Sequence, residues 1–435
     1  MSEATAAPTR PVLHLTAPAG WINDPLGLTY RNGQYHLFFQ HVPGRTSWAP
    51  TCHWGHATSP DLFSWTQRPI ALAPDESDGG CWSGSIVVEP DGTASLFYTS
   101  VALDDLDIGT VRVAHPVDDS WDRWQKGEVV AQLPPGTDAG FYRDPYVYWA
   151  DGTWQMLIGS GRADGTAIAL VHRSPDLVRW HFDGELAARG TDERDPVWTG
   201  RVWECPQLFR LGDRWVLTVS VWEPWIPHYE AYAIGDLVGG RFVPTTWGRL
   251  TYGPCYYAGS AFVDADGERG LIYWLREIVD PDGQWAGANS VPHRLRLDGD
   301  RLTAEPHPGL DRLRQPVEPE SLPSVADLEW RVPAVSGRLV LTSADGGALV
   351  SLVAAPGELE ITIGDQSWTL PPSPQLRLVL DGPILEVFGE FGTFAAPVPV
   401  AAPLSAAATP GTELTTYALV RPRDGVGSRV SGPRG

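Results

Sequence analysis

Apolar residues along this chain recur at every second position in short runs, and long stretches with the three-to-four-residue spacing of an amphipathic helix are hard to find. The runs GQYHLFFQ, GSIVVEPDGTASLFYTS, DPYVYWADGTWQMLIGS, QLFRLGDRWVLTVS and SAFVDADGERGLIYWL each predict one strand or a strand pair, and Asp-Gly or Gly-Asp marks the turn in four of them. The segment Ser59-Pro60-Asp61-Leu62-Phe63-Ser64-Trp65 returns as Ser174-Pro175-Asp176-Leu177-Val178-Arg179-Trp180, each copy after a strand-like stretch. A recurring turn with a tryptophan, among roughly five hairpin-bearing units before residue 315, predicts propeller blades rather than a sandwich. Four prolines punctuate 316–335, read as a linker. Alternation resumes in GRLVLTS, GALVSLVAA, GELEITIG and LRLVLDGPILEVFGE, the pattern of a β-sandwich over 336–422. The tail 423–435 lacks apolar content and is read as disordered. The fold class is all-β: a five-bladed β-propeller over 10–315, then a β-sandwich.

Composition narrows what such a fold does. A net charge of −21 over 435 residues repels nucleic acid and anionic lipid and favours a neutral ligand. Twenty Trp and 13 Tyr against 12 Phe supply flat apolar faces with polar handles, suited to sugar rings and equally to ordinary core packing. The cysteines Cys52, Cys81, Cys205 and Cys255 form no C-x-x-C pair, and free thiols in a reducing compartment fit them. The N-terminus lacks a basic start followed by an apolar core, and no apolar run approaches a membrane span. A cytoplasmic location is the default, a secreted one the alternative if a leader has been removed. His53-x-x-His56 has a metal-like look, but on a strand these positions face opposite sides, so no metal is expected. No phosphate-cradling glycine loop occurs and no cofactor is expected.

Three carboxylates stand beside prolines: Trp21-Ile22-Asn23-Asp24-Pro25, Arg143-Asp144-Pro145 and Trp203-Glu204-Cys205-Pro206. Any one alone reads as a turn, as Asp195-Pro196 does. Spaced 120 and 60 residues apart, they fit acids on different blades whose first strands surround one axis. Two converging carboxyl groups about 5 Å apart are what retaining glycoside hydrolysis requires.

The motifs resemble glycoside hydrolase family 32, the invertases, levanases, inulinases and related β-fructofuranosidases. WINDPLG is similar to the family's W-M-N-D-P-N-G, YRDP to its R-D-P and WECPQLF to its W-E-C-P. QYHLFFQHVPG, HWGHATSPDLFSW, CWSGSIVV, YAIGDLVGGRF, WAGANSVPHRL and LRLVLDGPILEVFGEFG follow in family order from about residue 13 to 395. The resemblance implies Asp24 as nucleophile on the anomeric carbon of a terminal β-fructofuranosyl unit, Glu204 as acid/base and Asp144 as transition-state stabiliser. It implies substrate contacts from Asn23, Gln40, Trp48, Trp82, Ser83, Arg143 and Trp274, with core packing the competing role for Trp82 and Trp274. Such chemistry asks for an ionised Asp24 and a protonated Glu204, hence different environments.

Two positions depart from the family pattern. Leu26 replaces a polar Asn, and Thr251 replaces the Asp of D-Y-G-x-x-F-Y-A, which tilts the expected substrate from sucrose toward fructans. Fructosyl transfer to a sugar hydroxyl uses the same acids and stays open. An arabinosidase or xylosidase of similar build and a non-catalytic carbohydrate-binding propeller are the more distant alternatives. The expected partner is a neutral fructose-containing sugar, and oligomeric state is not legible.

Overall fold

A computed structural model describes residues 9–421, so the tail expected at 423–435 lies outside the described residues. The described chain is built almost wholly of strands, with one short 3-10 turn, Pro308–Leu313. Three four-stranded antiparallel sheets follow one another along the chain, beginning at Gly80–Val88, Arg143–Ala150 and Val202–Leu211. A nine-stranded sheet is made of an early group starting at Gly20–Arg31 and a late group starting at Tyr256–Val263, joined by parallel pairing at Thr29 and Val263. The first strand of each group packs on the next, Gly20–Arg31 on Gly80–Val88 and onward to Tyr256–Val263, which returns to Gly20–Arg31. These inner strands therefore enclose a common axis.

The turns are the ones the sequence advertises. Asn32-Gly33 and Asp151-Gly152 both have positive φ at both positions, as a two-residue hairpin between twisted strands needs. The repeated Ser-Pro-Asp-Leu segment makes the same connection twice, between third and fourth strands of a sheet. Asp61 Oδ1 accepts from the Phe63 and Ser64 amides, Asp176 Oδ1 from those of Val178 and Arg179, and Leu62 and Leu177 both take positive φ. Asp195 lies in the irregular stretch between His181–Arg189 and Val202–Leu211.

Beyond residue 313, six strands of a seven-stranded sheet, whose seventh is Thr251–Tyr252, and a five-stranded sheet share one core, with Leu328, Trp330, Leu378 and Val387 from the first meeting Leu339, Leu341, Leu352 and Ile361 from the second. The expected linker 316–335 is corrected here. Val325–Arg331 forms a strand inside the seven-stranded sheet, between Gln375–Asp381 and Leu414–Leu419. Its alternation buries Ala326, Leu328 and Trp330, and the prolines flank the strand without interrupting its ladder. The two parts of the molecule are stitched at strand level, because Thr251–Tyr252 pairs with Gly392–Pro397. Among the described residues no helix is long and apolar enough to cross a membrane.

Candidate active site

Every inner strand breaks its ladder near its beginning. Two residues face one at Asn23–Asp24, Asp144–Pro145, Cys205–Pro206 and Ala258–Gly259, and Ser83 is an extra residue in Gly80–Val88. Such bulges re-aim side chains and leave the ladder interrupted, so a proline at or just after the break costs no hydrogen bond. This explains acids beside prolines in strands. The left-handed φ of Asp144 (63°), Cys205 (45°) and Ala258 (51°) belongs to the same kinks. The shared level of the breaks gathers Asp24, Ser83, Asp144, Glu204 and Tyr257 at one mouth.

Asp24 is held from three sides. Ser83 Oγ donates to its Oδ2 at 2.5 Å, Gln40 Nε2 to the same oxygen at 3.2 Å, and Asn23 Nδ2 to Oδ1 at 3.1 Å. Gln40 also donates to Ser83 Oγ. Asn23 is oriented by Trp21 Nε1 at 3.2 Å, and its carbonyl accepts from Asn289 Nδ2 at 3.2 Å. Gly287, in the same WAGAN segment as Asn289, has φ 83° and abuts the Ile22 carbonyl so closely that a side chain would collide with it. Removal from water raises the Asp24 carboxyl to about 6; the Ser83 and Asn23 hydrogen bonds oppose the rise and the charge of Glu204 adds to it. Asp24 is thus mostly ionised at neutral pH.

Asp144 is buried, its amide donating to Thr99 Oγ1 at 2.8 Å and its Oδ2 accepting from the Cys205 amide at 3.0 Å. Burial pushes its carboxyl up, as do Glu204 and Asp24, against the pull of Arg143. Glu204 sits between a cation and a phenol: Arg143 Nε lies 3.1 Å from Oε1, and Tyr257 OH donates to Oε2 at 2.6 Å. The Arg143 guanidinium is itself packed between Phe141 and Trp222, with ring centroids at 5.0 and 4.7 Å.

The predicted sugar contacts are gathered at this mouth to different degrees. Asn23, Gln40, Ser83 and Arg143 touch the acids directly. Trp82 is only 8% exposed, packs with Val42, Ala49 and Val101, and spends its N–H on Pro50 O at 2.7 Å. Trp48 stands above it, 37% exposed, with ring centroids 5.8 Å apart. Trp274 meets Trp21 edge-on at 5.4 Å, and its N–H has no protein partner. Leu26 is buried with Phe38 and Trp54, so its side chain serves the core. Thr251 is buried too, and its hydroxyl accepts from the Glu230 amide at 2.9 Å. The expectation that position 251 addresses the leaving group gains no contact at the mouth.

Several functional neighbours escaped the sequence reading. Tyr257 stands in the same Thr251-to-Ala258 run, which departs from the family pattern at Thr251. The Cys205 amide, Thr99 and Trp222 carried no signal, because their roles depend on bulges and on cross-sheet packing. The fully buried Glu230, raised to about 7 by burial and bonded to Ser220 Oγ at 2.7 Å, carries no proline and no motif.

Comparison with known proteins agrees with this geometry. Residues 14–306 match the glycosyl hydrolases family 32 N-terminal domain. A raffinose invertase of Escherichia coli is 34% identical over 350 residues, covering 74% of this chain and 71% of that protein. A sucrose-6-phosphate hydrolase of the same organism is 36% identical over 328 residues, covering 70% and 66%. The chain thus spans about two thirds of the length of these relatives. Among solved structures, a Bombyx mori family 32 β-fructofuranosidase in complex with sucrose superimposes with a TM-score of 0.82 at 27% identity, over 95% of this chain and 94% of that one. A fructan 1-exohydrolase IIa from Cichorium intybus shares the fold, with a TM-score of 0.76 at 22% identity over 95% and 98%. With the family domain matched over more than half its length, this chain belongs to glycoside hydrolase family 32.

Proposed function

We propose that the chain is a retaining β-fructofuranosidase that releases terminal fructosyl units from an uncharged fructoside, sucrose or a fructan. The fold reading that goes with it is a five-bladed propeller, the three four-stranded sheets plus the two halves of the nine-stranded one, followed by a two-sheet sandwich. The observation that carries the proposal is the convergence of Asp24, Asp144 and Glu204 from three separate inner strands, each on or beside a ladder break.

Asp24 attacks the anomeric carbon while Glu204 gives a proton to the departing glycosidic oxygen, so the carbon–oxygen bond breaks as the fructosyl ester forms. Water then loses a proton to Glu204, attacks the same carbon and releases the Asp24 carboxylate. Two inversions give net retention. Ser83, Gln40 and Asn23 aim Asp24. Arg143 and Tyr257 orient Glu204. Asp144, one oxygen committed to the Cys205 amide, offers the other to fructosyl hydroxyls. Trp48, Trp82 and Trp274 wall the pocket. The three carboxyl groups do the chemistry without any cofactor.

The test is fructose release from sucrose, short fructo-oligosaccharides, inulin and levan by the intact chain and by Asp24→Ala and Glu204→Gln. At least about a thousandfold loss in kcat is expected in either variant with the fold retained. Turnover like that of the unaltered chain in either one refutes the assignment. Products longer than the substrate at high sugar concentration would turn the reading toward fructosyl transfer.

A further inference from the structure

The hairpin Arg214–Glu223/Ile226–Val238 turns through Pro224 and Trp225, with Glu223 paired to Ile226. Trp225 holds φ at +69°. In a two-residue turn with proline first, positive φ at the second position is the place of glycine, and a bulky side chain there is strained. Burial does not repay that strain, because Trp225 is 64% exposed. Backbone strain kept at an exposed position points to function.

The ring has a defined place. It lies 6.4 Å from the ring of Trp48 and 6.1 Å from that of Trp222, edge-on to both. Trp48 meets Trp82, the neighbour of Ser83 on Asp24, and Trp222 packs on Arg143, which pairs with Glu204. Aromatic rings thus run in one arc from the Asp24 side of the mouth to the Glu204 side. The turn is also tied to the acid: Arg276 donates to Pro227 O at 2.7 Å and His228 O at 3.0 Å, and its guanidinium lies over the Tyr257 ring at 5.2 Å. Tyr257 in turn donates to Glu204.

Three cations near this rim are engaged: Arg143 serves Glu204, Arg276 is bonded to backbone carbonyls, and His228 lies 3.3 Å from Glu223. The exposed Arg45 on the Trp48 loop bonds only the Ser47 hydroxyl, at 3.3 Å. Together with a net charge of −21, an aromatic rim of this kind suits a sugar face and disfavours a phosphate. We infer that Trp225, with Trp48, is the platform for the leaving sugar, and that it makes the enzyme choose an uncharged leaving group over a phosphorylated one. The inference rests on the fructosidase reading and deepens it.

The experiment compares the intact chain with Trp225→Gly on sucrose, on sucrose 6-phosphate, whose phosphate sits on the glucosyl part, and on methyl β-D-fructofuranoside, which has no leaving sugar. The intact chain is expected to favour sucrose over its phosphate at least tenfold in kcat/KM. Trp225→Gly is expected to lose roughly threefold to tenfold on sucrose, through KM, and nothing on the methyl fructoside. Its thermal midpoint should hold or rise, since glycine relieves the turn; a merely structural tryptophan would lower it. Equal losses on sucrose and methyl fructoside, no loss on either, or preference for the phosphate overturns the platform while leaving the fructosidase reading intact. Absence of fructose release from all three substrates by the intact chain overturns both.

Discussion

Two clusters of buried acids in this molecule have opposite characters. At the mouth, Asp24 and Asp144 lie close to Glu204 with one guanidinium among the three carboxyls, and both are raised above the ordinary carboxylate range. At the seam between the strands around the axis and the two-sheet unit, Asp381 and Glu386 flank His14. His14 Nδ1 lies 2.8 Å from Asp381, its Nε2 3.3 Å from Glu386, and Glu386 also meets His293 at 3.4 Å, all with side chains at 0% exposure. Asp381 further accepts from the amides of Val12, Leu13 and His14, and Glu386 from that of Val291. Burial alone would depress His14, but its bonds to Asp381 and Glu386 outweigh that and raise it to about 9. Burial would raise the two acids, but the His14 bonds and neighbouring donors hold both below their ordinary values. Burial is therefore common to both clusters and decides nothing alone. Acids paired with a cation lock the chain together; acids crowded by like charge keep charge and proton ready to move, at some cost in stability.

The sharpest break of this contrast is to neutralise one acid in each cluster. Asp144→Asn should lower fructose release at least about a hundredfold, yet raise the midpoint of urea unfolding at pH 8, because an isosteric amide removes a poorly compensated charge. An unfolding midpoint that falls together with activity would mean that the mouth acids are structural after all. Asp381→Asn should do the reverse, costing about 3–5 kcal/mol by stranding the His14 charge and weakening three amide contacts, with kcat in the surviving folded fraction little changed. A stability change under about 1 kcal/mol there would remove the seam lock.

A smaller effect separates the two clusters by pH. A raised acid binds its proton more tightly folded than unfolded, so the mouth's penalty on stability grows as pH rises from about 4 through the Asp24 value of about 6. The seam's acids contribute above about 4 and lose that contribution in acid. The His14 contribution is full below about 6.5 and is lost as pH climbs through about 9. Thermal midpoints should therefore peak between about pH 4.5 and 6.5 and decline into alkali, whereas kcat/KM should rise with pH through about 6 as Asp24 ionises. Coincident optima in the two pH profiles would contradict these assignments. The least effect belongs to Thr251→Val, which strips the acceptor from the Glu230 amide and should cost about 1–3 kcal/mol, with the ratio of sucrose to inulin hydrolysis unaltered. A shift in that ratio would bring position 251 back to the leaving-group side.

Much of this was legible beforehand where local chemistry dictates the outcome. Alternation and Asp-Gly turns predict the hairpins, and the repeated Ser-Pro-Asp-Leu turn predicts equivalent units, because strand period and left-handed φ are properties of a few neighbouring residues. The acid trio was legible through its motifs. Val325–Arg331 reads as linker because four surrounding prolines outweigh three alternating apolar residues. Asp381, in Leu380-Asp381-Gly382-Pro383, looks like an ordinary turn residue, and only the folded chain brings His14 to it.

The sequence by itself determined the all-β character, the turn positions, the acids Asp24, Asp144 and Glu204, and a charge that favours a neutral ligand. These depend on residue type and short-range spacing. Tertiary structure alone decided that the ladder breaks fall at one level, that Tyr257 and Arg143 share Glu204, that Thr251 and Leu26 are spent on packing, and that Trp225 stands over the mouth. Each of those joins residues tens to hundreds of positions apart, and no local preference can specify such a meeting before the strands have closed around their axis.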